Sequence, residues 1–176
     1  MNSTNILECL NDWTCNLQDG FATAVIYIDF SKAFDVIQHD KLFVKLRSYG
    51  IDGMLLQWII NLFTNRLFCT RIDYLLSSFV NLISGVIQGS VIRPLMFLIY
   101  INDLAMLLSQ YKVKRKLFAD DVKLCVRVVS DADVTELQMA LSAVTSWAEY
   151  WQLSVSVDKC GVTYYTTRCC YHICYQ

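Results

Sequence analysis

A chain of 176 residues in which 55% are apolar or aromatic, 18% are charged and only one is proline carries enough apolar surface to collapse, which excludes a disordered chain. Its length suits one domain with a real core. The formal charge of −1 gives no global basic field of the kind that steers nucleic acid.

From the N-terminus, Ser3 or Thr4 can cap a helix whose apolar residues Ile6, Leu7, Leu10, Trp13 and Leu17 recur at helical spacing, with Gly20 as a stop. ATAVIYID (22–29) reads as a β-branched strand too uniformly apolar to have a wet face. Two helices follow, DKLFVKLRSY closing at Gly50 and DGMLLQWIINLF running to about Asn65. RLFCTRI and SSFVNLI form a strand pair with Asp73 and Tyr74 in the turn.

SGVIQGS is a loop punctuated by Gly85 and Gly89, and a mostly apolar helix runs from Ser90 to Leu108, with Pro94 tolerated near its first turn. The apolar run VIRPLMFLIYI (91–101) falls well short of the roughly 20 residues a spanning helix needs, so no membrane is expected as a partner. Lys112, Lys114, Arg115 and Lys116 read as a solvated loop. KLFADDVKLCVRV is a hairpin with its aspartates at the tip. DADVTELQMALSAVTSWAEYW sets Val134, Leu137, Leu141, Val144, Trp147 and Trp151 on one helical stripe. LSVSV alternates as a strand, and VTYYT after Gly161 is a candidate partner for it.

The eight cysteines include no CxxC pair, and MNSTNILECLNDW carries charge and tryptophan where a secretory core would sit. Reduced thiols in an intracellular, non-secreted protein of the nucleus or cytoplasm are expected. The tail holding Cys169, Cys170, His172 and Cys174 is spaced too tightly for one tetrahedral zinc. Residues 1–168 are taken as the folded domain and 169–176 as a cysteine-rich tail.

The element order gives an α+β fold of the split βαβ (ferredoxin-like, βαββαβ) type, with extra helices and a small strand pair. In that fold the first strand lies beside the central hairpin, bringing Asp29 next to Asp120 and Asp121. Three carboxylates so close oppose folding unless a cation joins them. Oxygen ligands without histidine or cysteine select magnesium or manganese, and two such ions suit phosphoryl transfer. Taken singly, DD reads equally as an ordinary turn and Asp29 as an ordinary strand end.

DFSKAFD, SGVIQGSVIRPLMFLIYINDL and LFADDVKL, in this order, resemble motifs A, B and C of the reverse transcriptases of non-LTR (LINE-type) retrotransposons, and WQLSVSVDKC resembles motif D. The resemblance runs from about Thr4 to Lys159. It implies a polymerase palm that adds dNTPs to a DNA primer 3′-hydroxyl on an RNA template. It further implies that Asp29 and Asp120 are the principal ligands of two Mg2+ ions, Mn2+ being an alternative, with Asp121 the third carboxylate. Phe34 matches the aromatic that excludes a 2′-hydroxyl. Gln88 and Gly89 match positions that contact the template and the nascent base pair, and Lys159 matches a lysine near the leaving pyrophosphate. Asp35 is expected to fix its own loop by hydrogen bonding.

Two positions depart from the pattern: Ile87 stands where proline is usual, and Arg93 where glycine is usual. With 28 residues before Asp29 and 17 after Lys159, fingers and thumb are expected to be largely missing, leaving apolar surface uncovered. The alternative is a non-catalytic, truncated or decayed remnant, at most an RNA- or protein-binding module. A magnesium phosphotransferase or nuclease explains the acids but leaves the motif B wording unaccounted for.

Overall fold

The computed structural model describes residues 3–166; the cysteine-rich tail from 169 lies outside them. The first helix, α1 (Ser3–Gln18), ends where Gly20 takes a left-handed φ of 78°. Its buried face is set by Cys9 and Trp13 while Leu7 and Leu10 are exposed, so of the expected apolar positions Trp13 is buried and these two leucines are not. The strand β1 (Ala22–Ser31) is buried through its first half and alternates only toward its end.

Helices α2 (His39–Ser48) and α3 (Gly53–Phe63) follow as expected. The strand pair is an arm of four two-residue strands: β2 (Leu67–Phe68) with β5 (Val80–Asn81), and β3 (Arg71–Ile72) with β4 (Leu75–Leu76), turning at Asp73 and Tyr74. Nearly all of its side chains are exposed, Phe68, Ile72, Tyr74, Leu75, Leu76 and Phe79 among them.

After α4 (Arg93–Leu108) come β6 (Lys114–Phe118) and β7 (Asp121–Val128), then α5 (Asp131–Trp151), whose buried positions Leu137, Ala140, Val144, Trp147 and Ala148 follow the expected stripe. The basic cluster is not a free loop. Lys114 lies 2.8 Å from Asp12 and Lys116 pairs with Glu8, so β6 is tied by charge to α1.

LSVSV yields only β8 (Ser154–Val155), because the chain then coils into a 3-10 turn at Val157–Lys159. The last strand, β9 (Gly161–Tyr165), pairs with β1 and not with β8. The main sheet therefore runs β6-β7-β1-β8, with β9 also on β1.

The described chain is α+β and divides into two compact units. One holds the residues up to Phe30, Ala105–Ser146 and those from Val155; the other holds Ser31–Leu104 and Trp147–Ser154. In the first, Cys9, Trp13, Val25 and Cys125 form a buried cluster, with Tyr27 and Tyr165 packed against it and Tyr165 stacked on Trp13 at 4.5 Å. Burial and the neighbouring Cys9 push the Cys125 thiol up to about 11.

In the second unit Leu42, Leu46, Phe63, Phe97 and Tyr100 are fully buried. Lys45 is buried with them. Its ammonium donates to Asp103 at 2.6 Å and to the Tyr100 carbonyl, and it sits 3.6 Å from the Trp151 ring centroid and 5.0 Å from that of Trp147. Burial pulls its pKa down to about 8, against the opposing pull of Asp103. No helix among the described residues is long and apolar enough to cross a membrane.

Candidate active site

Antiparallel pairing of β1 with β7 runs in register from Ala22↔Val128 to Asp29↔Asp121. The buried pair Ile28↔Val122 sits one step before the two aspartates, with both side chains in the core. The alternation of a strand then turns Asp29 and Asp121 together to the opposite face. Directly opposed Cβ atoms in such a pair lie about 5 Å apart, where two carboxylates repel.

The sequence places Asp121 at the hairpin tip; in the structure it is the first residue of β7. The tip is Ala119–Asp120, closed by Phe118↔Asp121, with Ala119 at φ 52°. A left-handed alanine costs about 1–2 kcal/mol, and strain of this kind is commonly found beside functional groups.

Asp29 is anchored twice. Its carbonyl accepts from Ser156 N at 2.8 Å, and its carboxylate accepts from Lys159 Nζ at 3.2 Å. Its side chain is 19% exposed and that of Lys159 66%. The 3-10 turn that shortens the alternating strand is what delivers Lys159 to this end of β1. The structure thus gathers Asp29, Asp121 and Lys159, with Asp120 adjacent in the turn. Among the described residues, no three histidine, cysteine or acidic side chains form a metal-binding cluster. The donor chemistry of the opposed carboxylates, oxygen alone, fits a hard divalent cation.

In the second unit the segments of Phe34 and Gln88 are stitched together. Val86 N donates to Phe34 O at 2.8 Å, Gly85 N to Ile37 O at 2.7 Å, and Ser84 Oγ to Asp35 O at 3.2 Å. Gly85 has φ 85°, and a Cβ there would lie 2.8 Å from the Asp35 carbonyl oxygen. The buried His39 donates from Nε2 to Gly85 O at 2.8 Å, a lock that the sequence pattern gave no cause to single out. Gly89, also left-handed at φ 77°, faces open space.

The half-buried Phe34 ring stacks on Phe97 at 4.2 Å. Gln88 Nε2 donates to Asp35 Oδ1 at 3.3 Å, and Arg93 Nη2 lies 3.9 Å from the same oxygen. Asp35 therefore fixes its loop through its side chain as well as its backbone.

The family model described as reverse transcriptase (RNA-dependent DNA polymerase) matches residues 4–172. Over 146 residues the chain is 29% identical to the RNA-directed DNA polymerase from mobile element jockey of Drosophila funebris, covering 80% of this chain and 16% of that protein. It is 27% identical to the probable RNA-directed DNA polymerase from transposon X-element of Drosophila melanogaster, with 81% and 16% covered. The type-1 retrotransposable element R2 polyprotein of Popillia japonica is 23% identical, with 78% and 23% covered. The chain thus spans under a quarter of the length of these curated relatives.

Among solved structures, apo telomerase from Candida tropicalis superposes with a TM-score of 0.67 at 9% identity, covering 93% of this chain and 35% of that one. Telomerase from Candida albicans, solved with a fragment of telomeric RNA, gives 0.66 at 14% identity, with 92% and 31% covered. These likenesses speak for the fold, a polymerase palm. The similarity to jockey, X-element and R2 bears out the resemblance to non-LTR elements.

Proposed function

This chain belongs to the reverse transcriptase (RNA-dependent DNA polymerase) family, and we propose that it carries the catalytic end of a split βαβ palm for template-directed addition of dNTPs to a primer 3′-hydroxyl. The observation that carries this reading is the in-register opposition of Asp29 and Asp121 beside the Ala119–Asp120 turn. Opposed acids at a sheet end are costly to keep unless a cation is to be bound.

Asp29, Asp120 and Asp121 are the residues that would hold divalent magnesium or manganese. Such ions, when bound, stabilise the attacking and leaving oxygens of an in-line displacement. The chain's own groups do the rest. Lys159, on a short exposed turn and paired with Asp29 at 3.2 Å, offers its ammonium to the leaving pyrophosphate. By its motif A position Phe34 is assigned the rejection of a ribose 2′-hydroxyl, and by their motif B positions Gln88 and Gly89 are assigned contact with the template and the nascent pair. RNA template, DNA primer and dNTPs are the partners this assigns.

Primer extension on an RNA template with Mg2+ or Mn2+, comparing wild type with Asp120→Asn, tests the assignment. Extension confined to the wild type supports it, and extension that the variant retains overturns the site. A second reading, a non-catalytic remnant, is favoured by one observation: Gln88 already spends its amide on Asp35. Metal-dependent extension by the wild type excludes it.

A further inference from the structure

We propose that Arg93 is a positioning residue for Phe34, and through that ring sets how strongly the site rejects a ribose 2′-hydroxyl. The inference rests on the nucleotide-site reading above. Arg93 is the first residue of α4 and Phe97 stands one helical turn further on, so the two share a face. Both meet the same ring. The Arg93 guanidinium carbon lies 4.8 Å from the Phe34 centroid, and the Phe97 ring is stacked against it at 4.2 Å with 27° between planes.

Phe97 is fully buried and fixed, whereas Phe34 is only half-buried. A half-buried ring can swing about its two side-chain torsions. A planar cation attracted to its π system restricts that swing. Asp35 Oδ1, 3.9 Å from Arg93 Nη2 and holding Gln88 Nε2 at 3.3 Å, orients the guanidinium. With only 28% of its side chain exposed, Arg93 is packed in place and is no loose surface arginine.

A steric filter works only while it cannot yield. The group to be rejected is a single oxygen, so a small displacement of the ring admits it. Glycine at 93 would take the guanidinium away from the ring and leave its stack on Phe97, and lysine would keep the charge but lose the planar fork.

The test measures KM and kcat for dTTP and for UTP with the full chain on poly(rA)·oligo(dT) with Mn2+, together with direct Mn2+-dependent binding of each nucleotide. Arg93→Gly is expected to lose about tenfold of the preference for dTTP, mainly through a lower KM for UTP, with dTTP parameters within about twofold. Arg93→Lys should recover most of the preference. In a Phe34→Ala background Arg93→Gly should change nothing further, since the partner through which it acts is gone.

A general structural role would weaken both nucleotides alike, and that result overturns the inference, as does an unchanged preference. Should Arg93→Gly not fold, Asp35→Asn, which frees the guanidinium, must show the same shift in smaller degree or the inference fails. If the wild type neither binds nor uses either nucleotide, the nucleotide-site reading itself falls and this assignment with it. That outcome differs from a wild type that discriminates while Arg93→Gly does so equally.

Discussion

Asp29 on β1 and Asp121 on β7 face one another directly across an antiparallel pair, at the end of eight consecutive matched positions. The seven preceding pairs hold this register, so neither acid can slide away without turning a buried strand inside out. The repulsion is built in, and it is relieved by removing one charge or by a cation.

Asp121→Asn should therefore stabilise the metal-free chain by about 0.5 kcal/mol, an unusual outcome for removing a charged group from a candidate active site. The same variant should lose the stabilisation that Mn2+ confers on the wild type, about 2.7 kcal/mol where the ion is at a hundred times its Kd. Urea titrations with and without Mn2+ read both effects. A wild type indifferent to Mn2+ would sink the metal assignment.

Lys159 reaches the Asp29 carboxylate from the 3-10 turn, at 3.2 Å. Because the lysine is largely exposed, Lys159→Ala should alter stability by less than about 1 kcal/mol. It should nevertheless tighten Mn2+ binding, since ammonium and metal compete for one Asp29 oxygen. Calorimetric titration of the two proteins with Mn2+ checks this; equal or weaker binding by the variant rules the competition out.

The two motif B glycines separate cleanly. Gly85→Ala combines a left-handed backbone with a Cβ 2.8 Å from the Asp35 carbonyl oxygen, and should cost about 3 kcal/mol. Gly89→Ala meets nothing within 4 Å and should cost about 1 kcal/mol from its φ alone. Denaturation midpoints measured side by side test the ordering, and comparable losses would contradict it.

What the sequence made legible depended on whether the signal was local. The β-branched run ending at Asp29 and the hairpin around FADD are periodic, and both stand nearly where the pattern puts them. LSVSV alternates as cleanly, yet only two residues pair, because alternation does not say where a backbone will coil to reach Asp29 with Ser156 and Lys159. Gly85 and Gly89 look alike in SGVIQGS; only a contact 50 residues back along the chain distinguishes them. The basic run at 112–116 reads as solvated because its partners, Glu8 and Asp12, are a hundred residues away. Lys45 was invisible for the same reason. In DKLFVKLRSY it looks like a surface residue, and its burial is made tolerable by Asp103, Tyr100, Trp147 and Trp151, no one of which is near it in sequence.

That burial gives the chain a pH dependence of definite sign. Desolvation lowers Lys45 from 10.5 to about 8, so between these values the folded chain has released a proton that the unfolded chain keeps. Stability attributable to Lys45 must then rise as pH climbs from about 8 toward 10.5, by up to about 3 kcal/mol. Cys125, raised to about 11 from 9.0, works the other way above pH 9, because there the unfolded thiol ionises first. The window from pH 8 to 9 is where Lys45 shows most clearly. Lys45→Met removes the titrating group while keeping a long apolar stem among the aromatic rings. The wild type should gain stability relative to Lys45→Met as pH rises through that window, measured by urea unfolding at half-unit steps. A difference between the two proteins that stays flat, or narrows in the opposite sense, would show that Lys45 keeps its proton in the folded chain.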